Sequence, residues 1–111
     1  MKDRNKVQLI GWVGADPAIK KFANGTKCAR IRVATNTPVK NKTGDGAQQY
    51  NTLWHSVVAW ACSADFAEQN FLKGSHILVE GHLVYRTYQD KDGQVKSVTE
   101  IIAGTLCNLD R

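Results

Sequence analysis

Residues 27 to 36, "KCARIRVATN", alternate so strictly that only an extended chain can sort their side chains. Successive side chains of a strand point to opposite faces, so Ala29, Ile31, Val33 and Thr35 share one face and Cys28, Arg30, Arg32 and Ala34 the other. A helix, with a period near 3.6, would scatter both sets around its circumference. The pattern therefore asks for a sheet with one side in a core and a cationic side facing outward. "YNTLWHSVVAW", residues 50 to 60, obeys the same rule. Trp54, Ser56, Val58 and Trp60 fall on one face, while Leu53, His55, Val57 and Ala59 can line a core. The first face holds an indole at each end, roughly 20 Å apart at about 3.3 Å per residue.

The remaining segments extend this β-rich plan. Between Lys6 and Val13 the chain is apolar, and "GADP" then supplies Gly14 and Pro17 as turn punctuation. "IKKF" is a short strand entering a turn at Asn24-Gly25, the strongest short hairpin signal present. Residues 36 to 50 carry Pro38, Gly44 and Gly46 without a hydrophobic period, which predicts a long loop of functional or disordered character. "SADFAEQNFLKG" predicts the one convincing helix, with Ser63 as N-cap, Phe66, Ala67 and Phe71 facing inward, and Gly74 ending it. "HILVEGHLVYRTYQDKDGQVKSVTEIIAG" predicts two long strands joined by a turn at Asp90 to Gly93, with Gly81 as a bulge or sharp bend.

The order strand, strand, strand, helix, strand, strand matches the OB-fold. That is an all-β, five-stranded, partly open Greek-key barrel, here with one short helix between strands 3 and 4. An SH3-like or other small barrel fits the strand count, but the helix is less natural there. A chain of 111 residues accommodates one domain, residues 1–111, with no internal boundary.

Fifteen Lys and Arg against ten Asp and Glu give a net charge of +5, which favours an anionic partner. Cys28, Cys62 and Cys107 are scattered, without a C-x-x-C pair or a histidine at ligand spacing. This argues against a disulfide framework and structural zinc, and for a reduced, cytoplasmic protein. The apolar run of "MKDRNKVQLIGWVG" is broken by Gln8 and Gly11 and is too short for a signal or a membrane span. No membrane partner, metal or cofactor is expected.

Trp54 and Trp60, with Tyr88 near the end of the fourth strand, form an aromatic set interleaved with Arg30, Arg32, Arg86, Lys91 and Lys96 on adjoining strands. Single-stranded nucleic acid requires this pairing, because bases stack on aromatic faces while cations track phosphates. Core packing is the competing reading of both tryptophans, and it is weakened by Leu53, Val57 and Ala59 on the opposite face. Trp12 reads as core, interface or ligand contact, in that order. His55 reads as a hydrogen-bonded structural or interface residue, and His76 and His82 flank an apolar run. No serine or cysteine nucleophile is paired with a base, and Asp90 and Asp92 lie in a turn where Asp is favoured for its backbone hydrogen bonds. The chain reads as non-enzymatic.

Several stretches, in order from about residue 5 to residue 106, resemble the bacterial single-stranded DNA-binding protein (SSB) family. They are "NKVQLIGWVGADP", "NGTKCARIRVATN", "TLWHSVVAW", "FLKGSHILVEGHL" and "DKDGQVKSVTEI". The resemblance implies a homotetramer, with a homodimer possible, that wraps single-stranded DNA across OB-folds. It places Trp54 on the family's stacking tryptophan, Trp60 on a position usually held by phenylalanine, Tyr88 on an aromatic of the fourth strand, and His55 at a subunit contact. Where the family commonly has another tryptophan, this chain has "NTPVKNK", with Lys40 and Lys42 left to supply phosphate contacts. Trp12 stands where asparagine is more frequent, and Leu53 replaces an acidic residue. Family members usually continue into a flexible tail with an acidic tip, whereas this chain stops at "LCNLDR", so no tail-mediated enzyme recruitment is expected.

These readings converge on a protein of the bacterial nucleoid that coats single-stranded DNA in replication, recombination and repair. Two rivals stand beside it. One is a dimeric primosome-type OB-fold protein that bridges replication proteins. The other is an OB-fold nuclease or enzyme accessory, which lacks the carboxylate cluster that metal-assisted hydrolysis needs.

Overall fold

The computed structural model describes residues 3–39 and 49–110. Its elements are β1 (Val7–Val13), β2 (Ala18–Lys21), β3 (Lys27–Val39), β4 (Gln49–Trp60), α1 (Cys62–Asn70), β5 (His76–Gln89) and β6 (Val95–Asn108). Strand order is β1-β5-β6-β4-β3-β2, and β1 also pairs with β3. That last pairing closes a five-stranded ring, and it rests on Trp12 opposite Ala34 and Val13 opposite Val33. All pairings are antiparallel except β4 with β6, where Val57 and Val58 meet Ile101 and Ile102. The architecture is the expected OB-fold barrel. The arm Ala18–Lys21 adds a short sixth strand that pairs with β3 beyond the ring.

The alternation sets the core. Ala29, Ile31 and Val33 of β3 and Val57 and Ala59 of β4 point inward and are fully buried with Ile77, Val79 and Ile101. Helix α1 covers the core with Ala64 and Ala67, and Phe71 follows it inward. Lys27 ties the helix to β3, its Nζ 2.7 Å from both Asp65 and Glu68, and these carboxylates raise its pKa. Gly81 marks the register shift in β5, and a Cβ there would stand 1.9 Å from the carbonyl oxygen of Ile102. Only glycine lets β5 pass so close to β6 where it bends.

Five expectations need correction. Helix α1 ends at Asn70 with Phe71 as its C-cap, so Gly74, at φ 92 in the turn that follows, does not end it. Ser63 is not the N-cap: it lies within α1, and the cap is Ala61, at φ 54 and with no side-chain hydrogen bond. Phe66 is 36% exposed and meets Phe71 edge-on, because the inward stripe is supplied by the smaller Ala64 and Ala67. Leu53 is 55% exposed, because β3 and β4 run on past the barrel as a two-stranded arm with no core beneath it. That arm also shortens the predicted loop. Asn36 to Val39 pair with Thr52 to Gln49, while residues 40–48 lie outside the described residues, and Lys40 and Lys42 with them. Backbone pairing with both faces wet leaves no hydrophobic period to detect.

Candidate nucleic-acid interface

Residues directly opposite each other in a ladder share a face, so the registers define one continuous outer surface. Across it run Ala18 and Lys20 of β2, Cys28, Arg30, Arg32 and Ala34 of β3, and Trp54, Ser56, Val58 and Trp60 of β4. Beyond them lie Ile102, Glu100, Val98 and Lys96 of β6, then Val84, Arg86 and Tyr88 of β5. Trp54, Trp60 and Tyr88 are all exposed on this surface, and Arg30, Arg32, Arg86 and Lys96 lie on it among them. Lys91 is exposed in the turn between β5 and β6.

Each tryptophan faces a small residue of β3. Trp54 is opposite Ala34, and Trp60 is opposite Cys28. Trp54 spreads across Ala34, leaving that alanine buried, and reaches Gly14 of the β1–β2 turn, where a Cβ would stand 2.3 Å from the indole. The guanidinium of Arg32 lies 4.9 Å from the centroid of the same ring, a cation–π contact that holds the charge beside the indole. At the other end Phe22 stacks on Trp60, with centroids 5.6 Å apart and planes 23° apart.

Between the two indoles the surface carries an ionic strap. Glu100 is only 4% exposed. Its Oε2 accepts from Arg30 Nη1 at 2.7 Å and Arg86 Nη2 at 3.1 Å, and its Oε1 accepts from Arg86 Nε at 3.2 Å. The Arg86 hydrogen bonds, then those of Arg30, hold its carboxyl below the usual range despite burial, and Arg86 is raised in turn. Arg30 reaches Glu100 over Val58, which explains why this outward-facing valine is buried. Two guanidinium groups against one carboxylate leave one positive charge in excess, on groups fixed in place.

Other expected residues are differently placed. Lys96 lies 3.3 Å from Asp90, whose carboxylate also accepts from the backbone of Gln94 and Asp92 and is held below its ordinary pKa chiefly by the first of these. Arg86 packs 5.9 Å from the Tyr88 ring. His55 points away from this surface, its Nε2 2.9 Å from Thr35 Oγ1, and burial lowers its pKa. It edges a cleft of about 220 Å³ with Leu83, Thr99 and Ile101. Trp12 is not core: it is 47% exposed and stacks on His76 at 4.2 Å. Among the described residues no group of three or more His, Cys, Asp or Glu could hold a metal ion, and no helix is long and apolar enough to cross a membrane.

Glu100 and Phe22 escaped the sequence reading as site residues, and Gly14 reads there only as turn punctuation, not as the backbone under Trp54. A lone acid in "TEIIAG" becomes informative only when strand order brings Arg30 and Arg86 to it.

A family model, that of the single-strand binding protein family, matches residues 4–109. The chain belongs to that family. It is 41% identical over 103 residues to Single-stranded DNA-binding protein 1 of Xylella fastidiosa, covering 93% of this chain and 75% of that protein. It is 38% identical over 99 residues to Single-stranded DNA-binding protein 1 of Chlorobaculum tepidum, covering 88% of this chain but only 60% of that one. The fold is similar to a solved structure described as a Plasmodium falciparum SSB complex with ssDNA, with a TM-score of 0.83 and 33% identity. The match covers 99% of this chain and 98% of the other. In this SSB family member, then, both the sequence pattern and the barrel are those of proteins named for single-stranded DNA.

Proposed function

We propose that this protein binds single-stranded DNA without sequence readout, coating strands exposed in replication, recombination and repair. One observation carries the reading: two exposed indoles, Trp54 and Trp60, on one face of β4, with cations between them on the neighbouring strands. Bases stack on Trp54, Trp60 and Tyr88, contacts that any base can make, at about 1–3 kcal/mol each. Arg32, Lys91, Lys96 and the charge left over from the Arg30–Glu100–Arg86 strap attract phosphates, with Lys40 and Lys42 adding to them. The protein acts by binding alone, as a homotetramer or homodimer with His55 near a subunit contact, in the bacterial cytoplasm.

Titration with oligo(dT), followed by tryptophan fluorescence, tests this. Binding should quench the signal and weaken with salt at a log–log slope of about −0.7 for each phosphate neutralised. Sedimentation of the same sample reads the assembly. An unquenched signal, a salt-insensitive affinity or a strong preference for duplex DNA would reject the reading, and a stable monomer at micromolar concentration would reject the assembly.

A further inference from the structure

Among the described residues Glu100 is the one buried carboxylate, and it lies on the surface that a polyanion would cross. Its neighbours on the same face of β6 are Val98 and Ile102, so an apolar side chain would fit the pattern. Replacing buried ion pairs by apolar groups is often neutral or stabilising, so stability alone does not account for an acid at this position. Arg86 donates Nε at 3.2 Å and Nη2 at 3.1 Å to the two oxygens of Glu100, and Arg30 adds Nη1 at 2.7 Å. Guanidinium groups grip phosphate with these same donors, because the fork of N–H groups fits a carboxylate and a phosphate alike.

The carboxylate lies beneath and the guanidinium groups lie above. The side chains of Arg30 and Arg86 are 53% and 45% exposed, whereas that of Glu100 is 5% exposed. A phosphate arriving from solvent can reach both arginines, but it must share them with an acid that is already in place. Arg32 is different. It leans on Trp54 and has no ion pair among the described residues, so its charge is offered in full.

We propose that Glu100 is a resident counter-anion, an internal stand-in for a phosphate that occupies donors of Arg30 and Arg86 and so holds the grip of the outer surface one phosphate short. The inference rests on the DNA-binding reading above and concerns the regulation of that surface by a residue that is not itself a contact for the strand. With Glu100 present, the two arginines act on a strand as one net charge. Without it, they act as two. The carboxylate thus lowers affinity at low salt while keeping the arginines aligned, and a coat held in this way is more easily cleared from the strand beneath it.

The test compares salt slopes for oligo(dT) binding, well below the melting temperature, in the full chain and in its Glu100→Gln, Arg30→Gln and Arg30→Gln/Glu100→Gln variants. Counting two guanidinium groups and one carboxylate, the net charges of the strap in these four proteins are +1, +2, 0 and +1. Each unit should change the slope by about 0.7, the value for one phosphate contact on a single strand. Glu100→Gln should therefore be steeper and tighter at low salt, and lowering salt from about 0.2 M to about 0.05 M should widen its advantage about 2.6-fold. Arg30→Gln should be shallower, and the double variant should return to the slope of the unmodified chain. Glu68→Gln makes the same change in overall charge on α1 and should leave the slope where it is. If Glu100 merely braces the arginines, Glu100→Gln binds more weakly with an unchanged or shallower slope, and the double variant binds no better than Arg30→Gln. Either result overturns the proposal, and so does an equal steepening in Glu68→Gln, which would assign the effect to overall charge. Melting temperatures report whether each variant is folded, and should Glu100→Gln fail to fold, the double variant measured against Arg30→Gln decides alone. An unmodified chain that does not bind oligo(dT) at all would instead bring down the underlying reading, and this inference with it.

Discussion

The inner and outer faces of β3 are built from alternate residues of one segment, yet their contacts are chosen differently. Inside, Ala29, Ile31 and Val33 are each 1% exposed or less and pack against whichever apolar side chains the ring supplies. Such contacts are non-directional and scale with buried area. Outside, Arg30 finds a carboxylate 70 residues away, Arg32 leans on Trp54, and Cys28 and Ala34 matter for being small. The first kind of contact makes a barrel. The second makes a surface that differs from one barrel to the next.

If the division is real, substitutions on the two faces should be separable. Ile31→Ala, which opens a cavity in the core, should lose about 2–5 kcal/mol of stability. Its affinity for oligo(dT), measured well below the melting temperature, should be unchanged. Trp54→Ala should do the reverse, losing about 1–3 kcal/mol of binding with little change in melting temperature. A Trp54→Ala protein that unfolds while keeping its affinity would erase the distinction at that site.

Glu100 is where the two faces meet, and Glu100→Gln should trespass on both. Chemical denaturation should show a loss of about 1–2 kcal/mol, since the charged hydrogen bonds are weakened while the exposed arginines regain water. The carboxyl is held below its ordinary pKa of 4.5, so its contribution is complete above that value and is lost as pH falls through the lower folded one. The acid limb of the stability profile should therefore shrink in the variant. The smallest effect concerns His55, whose pKa burial depresses from 6.5. Stability linked to it is present above 6.5 and lost as pH falls through the folded value, and an NMR titration of its ring should place that midpoint below 6.5.

How far the sequence was legible follows from the same contrast. Period two exposed both faces of β3 and the barrel half of β4, and turn chemistry found Asn24-Gly25, Asp90 to Gly93 and the bend at Gly81. Leu53 was misplaced because alternation says which side a residue points to, not whether a core lies beneath it. Ser63 was misplaced because capping preference is local, while the chain enters α1 through Ala61 in a conformation set by the end of β4, where the Ala61 N–H donates to the carbonyl of Lys27. The two indoles and most of their cations were readable from one strand and its neighbours. The strap, the Gly14 floor and the Phe22 stack were not, since each joins residues whose proximity depends on strand order.

The parallel seam between β4 and β6 has a kinetic consequence. The β3–β4 and β5–β6 pairs are each antiparallel hairpins that can zip within their own stretch of chain, but the seam must bring the two halves together across a long loop of sequence. Arg30 belongs to the first hairpin, and Arg86 and Glu100 belong to the second. The outer surface thus comes into being only when the seam closes, so a half-folded chain has cations but no ordered array to present. A nucleic-acid strand laid over both hairpins would act as a splint across that joint, and the rate at which the barrel opens should fall when it is bound.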